Sequence, residues 1–490
     1  MKMRTLIPLS VIAALSLGGL QGCVTKNPAT DQQVFTGGMT EQDEINIGRQ
    51  NHPQIIKSFG GEYKNPTVTA YVNSVGQLLA RTVERRNFKY KFTVLNSGIV
   101  NAFALPGGYI YISRGLMALA EDEAEMAAVL AHELGHVNAL HHARRQGQQV
   151  LAGVLLTGVG IAAGREAADL GNIVASGVLS SWSREHELES DLLGLRYLAR
   201  AGYDPKAVPD FLAKMRADAR LEAKRQGQSP DAVDQFNYLG THPAPIERVR
   251  IATEEALKFN VKNPDRSRDV YLRKINGMLY GDDPEQGFIR GRVFAHPKLR
   301  FRFEVPKDFS LFNSPSAVIA KGPDEATIIF DNAKKTADGP VSYYISNVWA
   351  RGLALKNIQK IDVNGLEGAT AQARISTRGG QRDVRLVAIR KDLQTIYRFA
   401  FFTKPGQQGR YSTPFRRTTY SFRILTRSEA EALKPLRVRA VRVRSGDTVK
   451  SLAARMEGDS RFKEERFRTI NGMGPQEKLR RGEMVKLITE

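Results

Sequence analysis

The stretch on which the reading of this chain turns is His132-Glu133-Leu134-Gly135-His136, at the end of the helix-forming run Glu121 to Ala131. In a helix, residues four apart lie on one face a turn apart, so both imidazoles can reach one ion. Glu133 sits beside the first of them, placed to take a proton from a water that the ion activates and to relay it to a leaving amine. Zinc suits such a pair, because it accepts histidine nitrogen and carboxylate oxygen and lowers the pKa of water to about 7. The chain has 8 histidines and 1 cysteine. An intrachain disulfide framework and a thiolate metal cage are therefore excluded, and a metal site must use imidazoles and carboxylates.

A catalytic zinc site needs three protein ligands and one open position. Two residues compete for the third place. The run from His132 to His142 nearly spells a three-histidine motif, but Ala139 stands where that motif needs a glycine to break the helix through a positive-φ turn. Val137 to Arg145 continues to read as helix, so His142 is expected to face away. The other candidate is Glu187, in Ser183-Arg184-Glu185-His186-Glu187-Leu188-Glu189-Ser190-Asp191. Glu187 and Asp191 are again four apart, so Glu187 can complete a two-histidine, one-glutamate shell while Asp191 accepts the second ring N–H of a ligand histidine. Read alone, the segment could equally be an acidic solvated helix face; its pairing with the histidine motif favours the ligand reading.

Asn101-Ala102-Phe103-Ala104-Leu105-Pro106-Gly107-Gly108, the His132–His136 motif, Ser183-Arg184 with Glu187 and Asp191, and Thr241-His242-Pro243 together resemble the HtpX-like and CAAX-prenyl-protease-like zinc metallopeptidases, in particular their soluble periplasmic branch. One departure is Ser190, where that family commonly has alanine. The resemblance implies Zn2+ as cofactor, Glu187 as third ligand, and a loop histidine, here His242, that covers or ligates the metal until substrate arrives. Donors for a transition-state oxyanion besides zinc are sought in His242 and Arg184. The β-branched and aromatic run Tyr109-Ile110-Tyr111-Ile112-Ser113, introduced by Leu105-Pro106-Gly107-Gly108, reads as a hairpin or edge strand that can pair with an extended peptide, main chain to main chain. Such pairing favours unfolded substrates and loose sequence preference.

Outward from these motifs, the chain divides by texture. Lys2 and Arg4 precede an apolar run from Leu6 to Leu20 that ends in Leu20-Gln21-Gly22-Cys23. Residues 1–22 resemble a bacterial lipoprotein signal peptide, with lipid attached to Cys23, although Gln21 departs from the small residue usual there; ordinary secretion is the alternative. Residues 23–40 read as a polar tether. Residues 41–260 show three- and four-residue apolar spacing, clearest in Val68–Val83 and Leu116–Leu140. Residues 150–163 are apolar but too short to span a bilayer, and read as a buried helix or flap. A linker, 261–290, leads to β-type segments at Leu299–Val305, Ala326–Phe330, Asp383–Ile389 and Thr395–Phe402, which define a basic α+β domain over 291–430. The end, 436–490, resembles a LysM module through Val441 to Val449, Ile470-Asn471-Gly472 and Leu479 to Glu483. The expected fold is multidomain α+β: a mainly helical zincin-type metallopeptidase domain, an α+β domain and a small βααβ LysM-like module.

The formal net charge is +21. It belongs to the C-terminal half: residues 261–490 hold 45 basic and 25 acidic residues, net +20, against 25 and 26, net −1, in 23–260. Such a field concentrates polyanions such as lipid headgroups or cell-wall polymers, and no nucleic-acid motif accompanies it. Together these features point to a zinc endopeptidase of the periplasm, lipid-anchored at the outer membrane, acting on unfolded or misfolded polypeptides. Peptidoglycan and outer-membrane assembly machinery are further partners. The alternatives are an assembly or cell-wall-binding factor with a chaperone-like role, and a hydrolase of peptidoglycan stem peptides.

Overall fold

The computed structural model describes residues 23–86, 88–156, 182–234, 242, 246–333, 336, 338–377 and 379–490. The expected signal peptide, the far end of the 150–163 apolar stretch, and Thr241 and Pro243 lie outside them. The chain forms two compact units. The first holds the chain up to Asn276 with Arg439–Ala453 and Glu464–Leu487, and the second holds Gly277–Val438 with Ala454–Lys463 and Ile488–Glu490.

Residues 23–40, expected as a tether, are folded. Strands β1 (Val24–Lys26) and β2 (Gln33–Phe35) pair antiparallel. Between them Asn27 is fully buried and donates to the Ala139 carbonyl and to Glu189 Oε1 at 3.4 and 3.2 Å. A polar composition suggested solvation, but these side chains satisfy polar groups of the helices they cover. Helix α1 (Glu41–Ser58) starts at a reciprocal cap between Thr40 and Asp43. Helix α2 (Pro66–Ala80) starts at Asn65 with Pro66 in its first turn and buries Val68, Val72, Val75 and Leu79.

Strands β3 (Lys91–Leu95), β4 (Ala102–Leu105) and β5 (Tyr109–Ser113) form a sheet in the order β3-β5-β4. The β4–β5 hairpin is as expected, but β5 is not an edge. It pairs in parallel with β3 on one side and antiparallel with β4 on the other. Tyr109, Ile110, Tyr111 and Ile112 therefore have no free main-chain edge for a peptide, and the outer edge of this sheet on the hairpin side is β4.

The run Leu116–Leu140 is two helices, α3 (Arg114–Leu119) and α4 (Glu123–Asn138). The chain turns extended at Ala120, and Asp122 caps α4 by accepting from the Glu125 N–H at 2.8 Å. From Ala124 to Asn138 every residue of α4 except His132 is buried. Helix α5 (His141–Leu156) follows, then α6 (Arg184–Arg200), α7 (Ala207–Arg225), α8 (Ile246–Ala256) and α9 (Arg268–Ile275). Helix α6 lies directly against α4. A Cβ on Gly135 would stand 2.9 Å from Ser190 Oγ and 3.0 Å from the Ser190 carbonyl oxygen, so only glycine permits this approach. Ser190 also donates to the His132 carbonyl at 3.1 Å. That contact fixes the height of Glu187 and Asp191 against the two histidines.

The second unit is sheet-rich. Strands β6 (Phe288–Arg290), β7 (Val293–His296) and β8 (Phe301–Glu304) are followed by β9 (Ser310–Asn313), β10 (Val318–Lys321) and β11 (Thr327–Asn332). After them come β12 (Lys356–Val363), β13 (Leu366–Thr377), β14 (Gly380–Asp392), β15 (Thr395–Thr403), helix α10 (Gln408–Ser421) and β16 (Arg423–Ile424). A seven-stranded sheet runs β12-β13-β14-β15-β11-β10-β9, and a four-stranded one β16-β8-β7-β6. Both faces of the larger sheet are covered. Tyr397, Phe399 and Phe401 join an aromatic core with Phe303 and Phe330, while Ile396 joins Val384, Leu386 and Ala388 on the other face. This is the period-two alternation of a strand buried on both sides. The chain ends with β17 (Arg437–Arg442), α11 (Val449–Ala454), α12 (Lys463–Ile470) and β18 (Met484–Thr489), with β17 paired to β18.

Candidate functional site

Helix α4 presents His132 and His136 on one face, and α6 brings Glu187 against them. His136 Nε2 lies 3.0 Å from His132 Nε2 and 3.5 Å from Glu187 Oε1, and His132 Nε2 is 3.6 Å from Glu187 Oε2. His242 enters the same cluster: its Nδ1 is 2.9 Å from Glu187 Oε1 and 3.3 Å from His132 Nε2. One donor atom from each of the four lies within 4.8 Å of all the others, and only His132 is partly exposed. The donor set, three imidazoles and one carboxylate converging in a buried pocket, fits the nitrogen and oxygen ligation of zinc.

The electrostatics follow from burial. Burial pushes His136 well below its ordinary range, keeping the imidazole neutral and its lone pair available. Burial would raise Glu187, but His242 and Arg248 outweigh it and hold the carboxyl well below the usual carboxylate range. Glu133 goes the other way. Burial raises it, against the pull of His242 and His132. Among the described residues one of its carboxylate oxygens has no hydrogen-bond partner, and the other lies 3.4 Å from His242 Nε2.

Asp191 stands where expected, 2.9 Å from His132 Nδ1, which leaves Nε2 of that ring turned toward the cluster. It is braced by Arg248, unforeseen from sequence, whose Nε and Nη2 donate to its two oxygens at 2.8 Å each. A third guanidinium nitrogen, Nη1, pairs with Glu187 Oε2 at 2.6 Å. Arg248 thus fixes Asp191 and Glu187 of α6 together. His136 has a different support. Its Nδ1 lies 2.7 Å from His141 Nδ1, and His141 Nε2 lies 3.1 Å from Glu189 Oε2, which Arg144 also binds at 2.6 Å. Trp182 stacks on the His136 ring with centroids 4.7 Å apart. None of these partners was foreseen, because single residues on separate helices leave no spacing pattern.

Two of the residues weighed from sequence lie apart from the cluster. His142 does not join the cluster: its Nε2 bonds the Ala104 carbonyl at 3.0 Å, and burial pushes its pKa down to about 3. Arg184, expected as an oxyanion donor, is exposed in the first turn of α6 and does not line the cavity beside the cluster. The arginine of this site is Arg248. That cavity is bounded by His132, Glu133, Asp191, His242 and Arg248, by Asn101 and Ala102 at the start of β4, and by apolar side chains of α3, α4 and α7. Cys23 is half-buried, immediately before β1.

Residues 66–256 match Peptidase family M48. Among curated proteins, the chain is 31% identical over 282 residues to the Beta-barrel assembly-enhancing protease of Escherichia coli (strain K12), covering 54% of this chain and 55% of that one. It is 31% identical over 233 residues to the protein of the same name from Yersinia pestis, 45% of each chain. To the Mitochondrial metalloendopeptidase OMA1 of Schizosaccharomyces pombe (strain 972 / ATCC 24843) it is 28% identical over 224 residues, 45% of this chain and 63% of that one. The chain spans about half the length of the two bacterial relatives. The stretch that matches Peptidase family M48, residues 66–256, is thus the one that brings the histidine pair of α4 and the glutamate of α6 into one buried cluster.

Proposed function

We propose that this protein is a zinc-dependent endopeptidase of the bacterial periplasm, anchored at the outer membrane through lipid on Cys23, that cleaves misfolded or stalled envelope proteins. The observation that carries the reading is the convergence of His132, His136 and Glu187 with the buried Glu133 beside them. His132, His136 and Glu187 would hold zinc, which supplies Lewis acidity to polarise a peptide carbonyl and acidify water. Glu133 takes the proton of the attacking water and delivers it to the leaving amine; its raised pKa brings it closer to that of its partners in transfer. Asp191 and Arg248 hold His132 and Glu187 in register, and His141 accepts the Nδ1 proton of His136. His242 fills the place a substrate carbonyl would need, so cleavage requires it to withdraw, after which it is a donor for the oxyanion.

Substrate main chain pairs with the outer edge of β4 at its Ala102 end, not with β5, since His142 takes the outward carbonyl of Ala104. The Ser113 N–H bonds the Asn101 carbonyl, so the alternation of an antiparallel ladder turns the N–H and carbonyl of Ala102 away from β5, beside the cavity. Pairing of this kind selects extended, unfolded chains. The names of the bacterial relatives, which describe assembly-enhancing proteases, support an envelope setting for the substrates.

A second reading, a cell-wall-binding or assembly factor, draws on the βααβ order of the C-terminal elements and the basic charge of residues 261–490. Peptidoglycan stem-peptide hydrolysis draws on the same end of the chain. Glu133→Gln assayed on an unfolded protein and on purified peptidoglycan separates the three. The endopeptidase reading requires cleavage of the polypeptide by the wild type and its loss in the variant. Equal cleavage by both would remove it, and cleavage confined to peptidoglycan would replace it.

A further inference from the structure

β18 lies far along the chain from α3 and α4, yet it meets the turn between them. Lys486, in β18, is completely buried, and its ammonium donates to the carbonyls of Ala118, Leu119 and Ala120 at 2.8, 3.1 and 2.5 Å. Those three bonds use every donor an ammonium has. They also fall where the chain needs them, since the last carbonyls of a helix have no partner within it. In α3 the Leu116 carbonyl accepts from the Ala120 N–H, and the Met117 carbonyl accepts from the Tyr271 hydroxyl at 2.5 Å. Lys486 satisfies the rest.

The α3–α4 junction is held from a second direction. Glu121 accepts from Arg268 Nε at 2.8 Å and from Lys214 Nζ at 3.2 Å, while Arg268 Nη1 donates to the Met484 carbonyl at 2.6 Å. Lys214 is itself buried and bonds both oxygens of Glu125, in the first turn of α4, at 2.8 and 2.7 Å. The segment before β18 comes close to the same carboxylate. A Cβ on Gly472 would lie 2.1 Å from Glu121 Oε2, and its φ of +62° disfavours a side chain as well. The adjoining Asn471 fixes Lys486 through its backbone, accepting from the Lys486 N–H at 2.7 Å and donating to its carbonyl at 3.0 Å. Asn471-Gly472, one of the stretches that resemble LysM, thus faces the start of the histidine-bearing helix.

We infer that the C-terminal segment Glu464–Leu487 is a clamp on the α3–α4 junction, and that Lys486 is a positioning residue for the metallopeptidase site. A removed or misplaced Lys486 leaves three buried carbonyls without donors at the turn from which α4 departs. The displacement is carried along α4 to His132 and Glu133, while α3 carries Leu116, which lines the cavity beside them. This inference rests on the peptidase reading for its catalytic readout, but not for its structural one.

The test uses full-length Lys486→Met and Gly472→Ala. The second variant keeps every Lys486 donor and only forces the segment away from Glu121. Hydrogen exchange of residues 114–136, zinc retention against a chelator, and kcat and KM on an unfolded substrate are measured for each. Expected are faster exchange in 114–136, easier zinc loss, and a kcat lowered about tenfold or more with KM nearly unchanged, the pattern of a site displaced by a fraction of an ångström. Lys486→Arg, which keeps donors, should recover part of kcat. Increased exchange confined to 439–489, with 114–136, zinc and kcat unchanged, would overturn the clamp. A wild type that neither binds zinc nor cleaves would remove the peptidase reading and leave the exchange result to decide the clamp.

Discussion

At the scale of single residues, the site depends on a buried arginine between two buried acids. Arg248 contacts Asp191 and Glu187 together, and without it two buried carboxylates lose the cation that pairs them. Arg248→Ala is therefore expected to destabilise the first unit by about 3–5 kcal/mol, the cost of breaking a buried ion pair from one side. Urea unfolding of the metal-free protein checks this, and a loss under 1 kcal/mol would mean that water or His242 compensates. The pair His132 and His136 with Glu133 was legible in the sequence, because its geometry is local to one helix. Glu187 and Asp191 were legible as a second four-residue spacing. Arg248 was not, since it stands 57 residues beyond Asp191 and its own helix has no pattern that distinguishes it from a solvated arginine. His141 was overlooked beside His142 for a related reason. Ala139 ends α4 and Leu140 adopts a φ of 57°, and this break turns the two neighbours to different partners.

At the scale of elements, strand order decides what can bind. The hairpin Ala102 to Ser113 was recognisable from its turn residues and β-branched content, but composition does not say which strand is central. β3 takes the far edge of β5 by a parallel pairing that no turn announces. Peptide is therefore expected along β4. Ala102→Pro removes an outward N–H without touching the candidate ligands, so KM for an extended peptide should rise about fivefold, the worth of one main-chain hydrogen bond, with zinc content unchanged. An unchanged KM would place the peptide elsewhere. Residues 23–40 teach a similar lesson. Their polarity suggested a solvated tether, and it instead equips Asn27 to reach Glu189 and the end of α4.

At the scale of the molecule, the β-rich character of the second unit was legible from alternating apolar segments, and its aromatic core confirms the alternation. The membership of Glu464–Leu487 in the first unit was not legible, because it depends on contacts such as that of Lys486 with Ala118, 368 positions apart. The second unit carries its own pH dependence. Burial pushes His296 down to about 4, so the folded state favours the neutral ring. Its contribution is complete above the ordinary histidine pKa of about 6.5 and is lost as pH falls toward 4, on the order of 2 kcal/mol. Hydrogen exchange of β8 and β11 should accelerate over that interval and do so less in His296→Gln. A pH profile identical in the variant would assign the effect to other groups.

The most direct test of the metal centre is zinc content and peptide cleavage measured on the same preparations of wild type, Glu133→Gln, Glu187→Ala and His142→Ala. One zinc per chain is expected in all but Glu187→Ala, with cleavage lost in Glu133→Gln and retained in His142→Ala. Zinc kept by Glu187→Ala and lost from His142→Ala, or a wild type that takes up no zinc under any loading condition, would contradict the account.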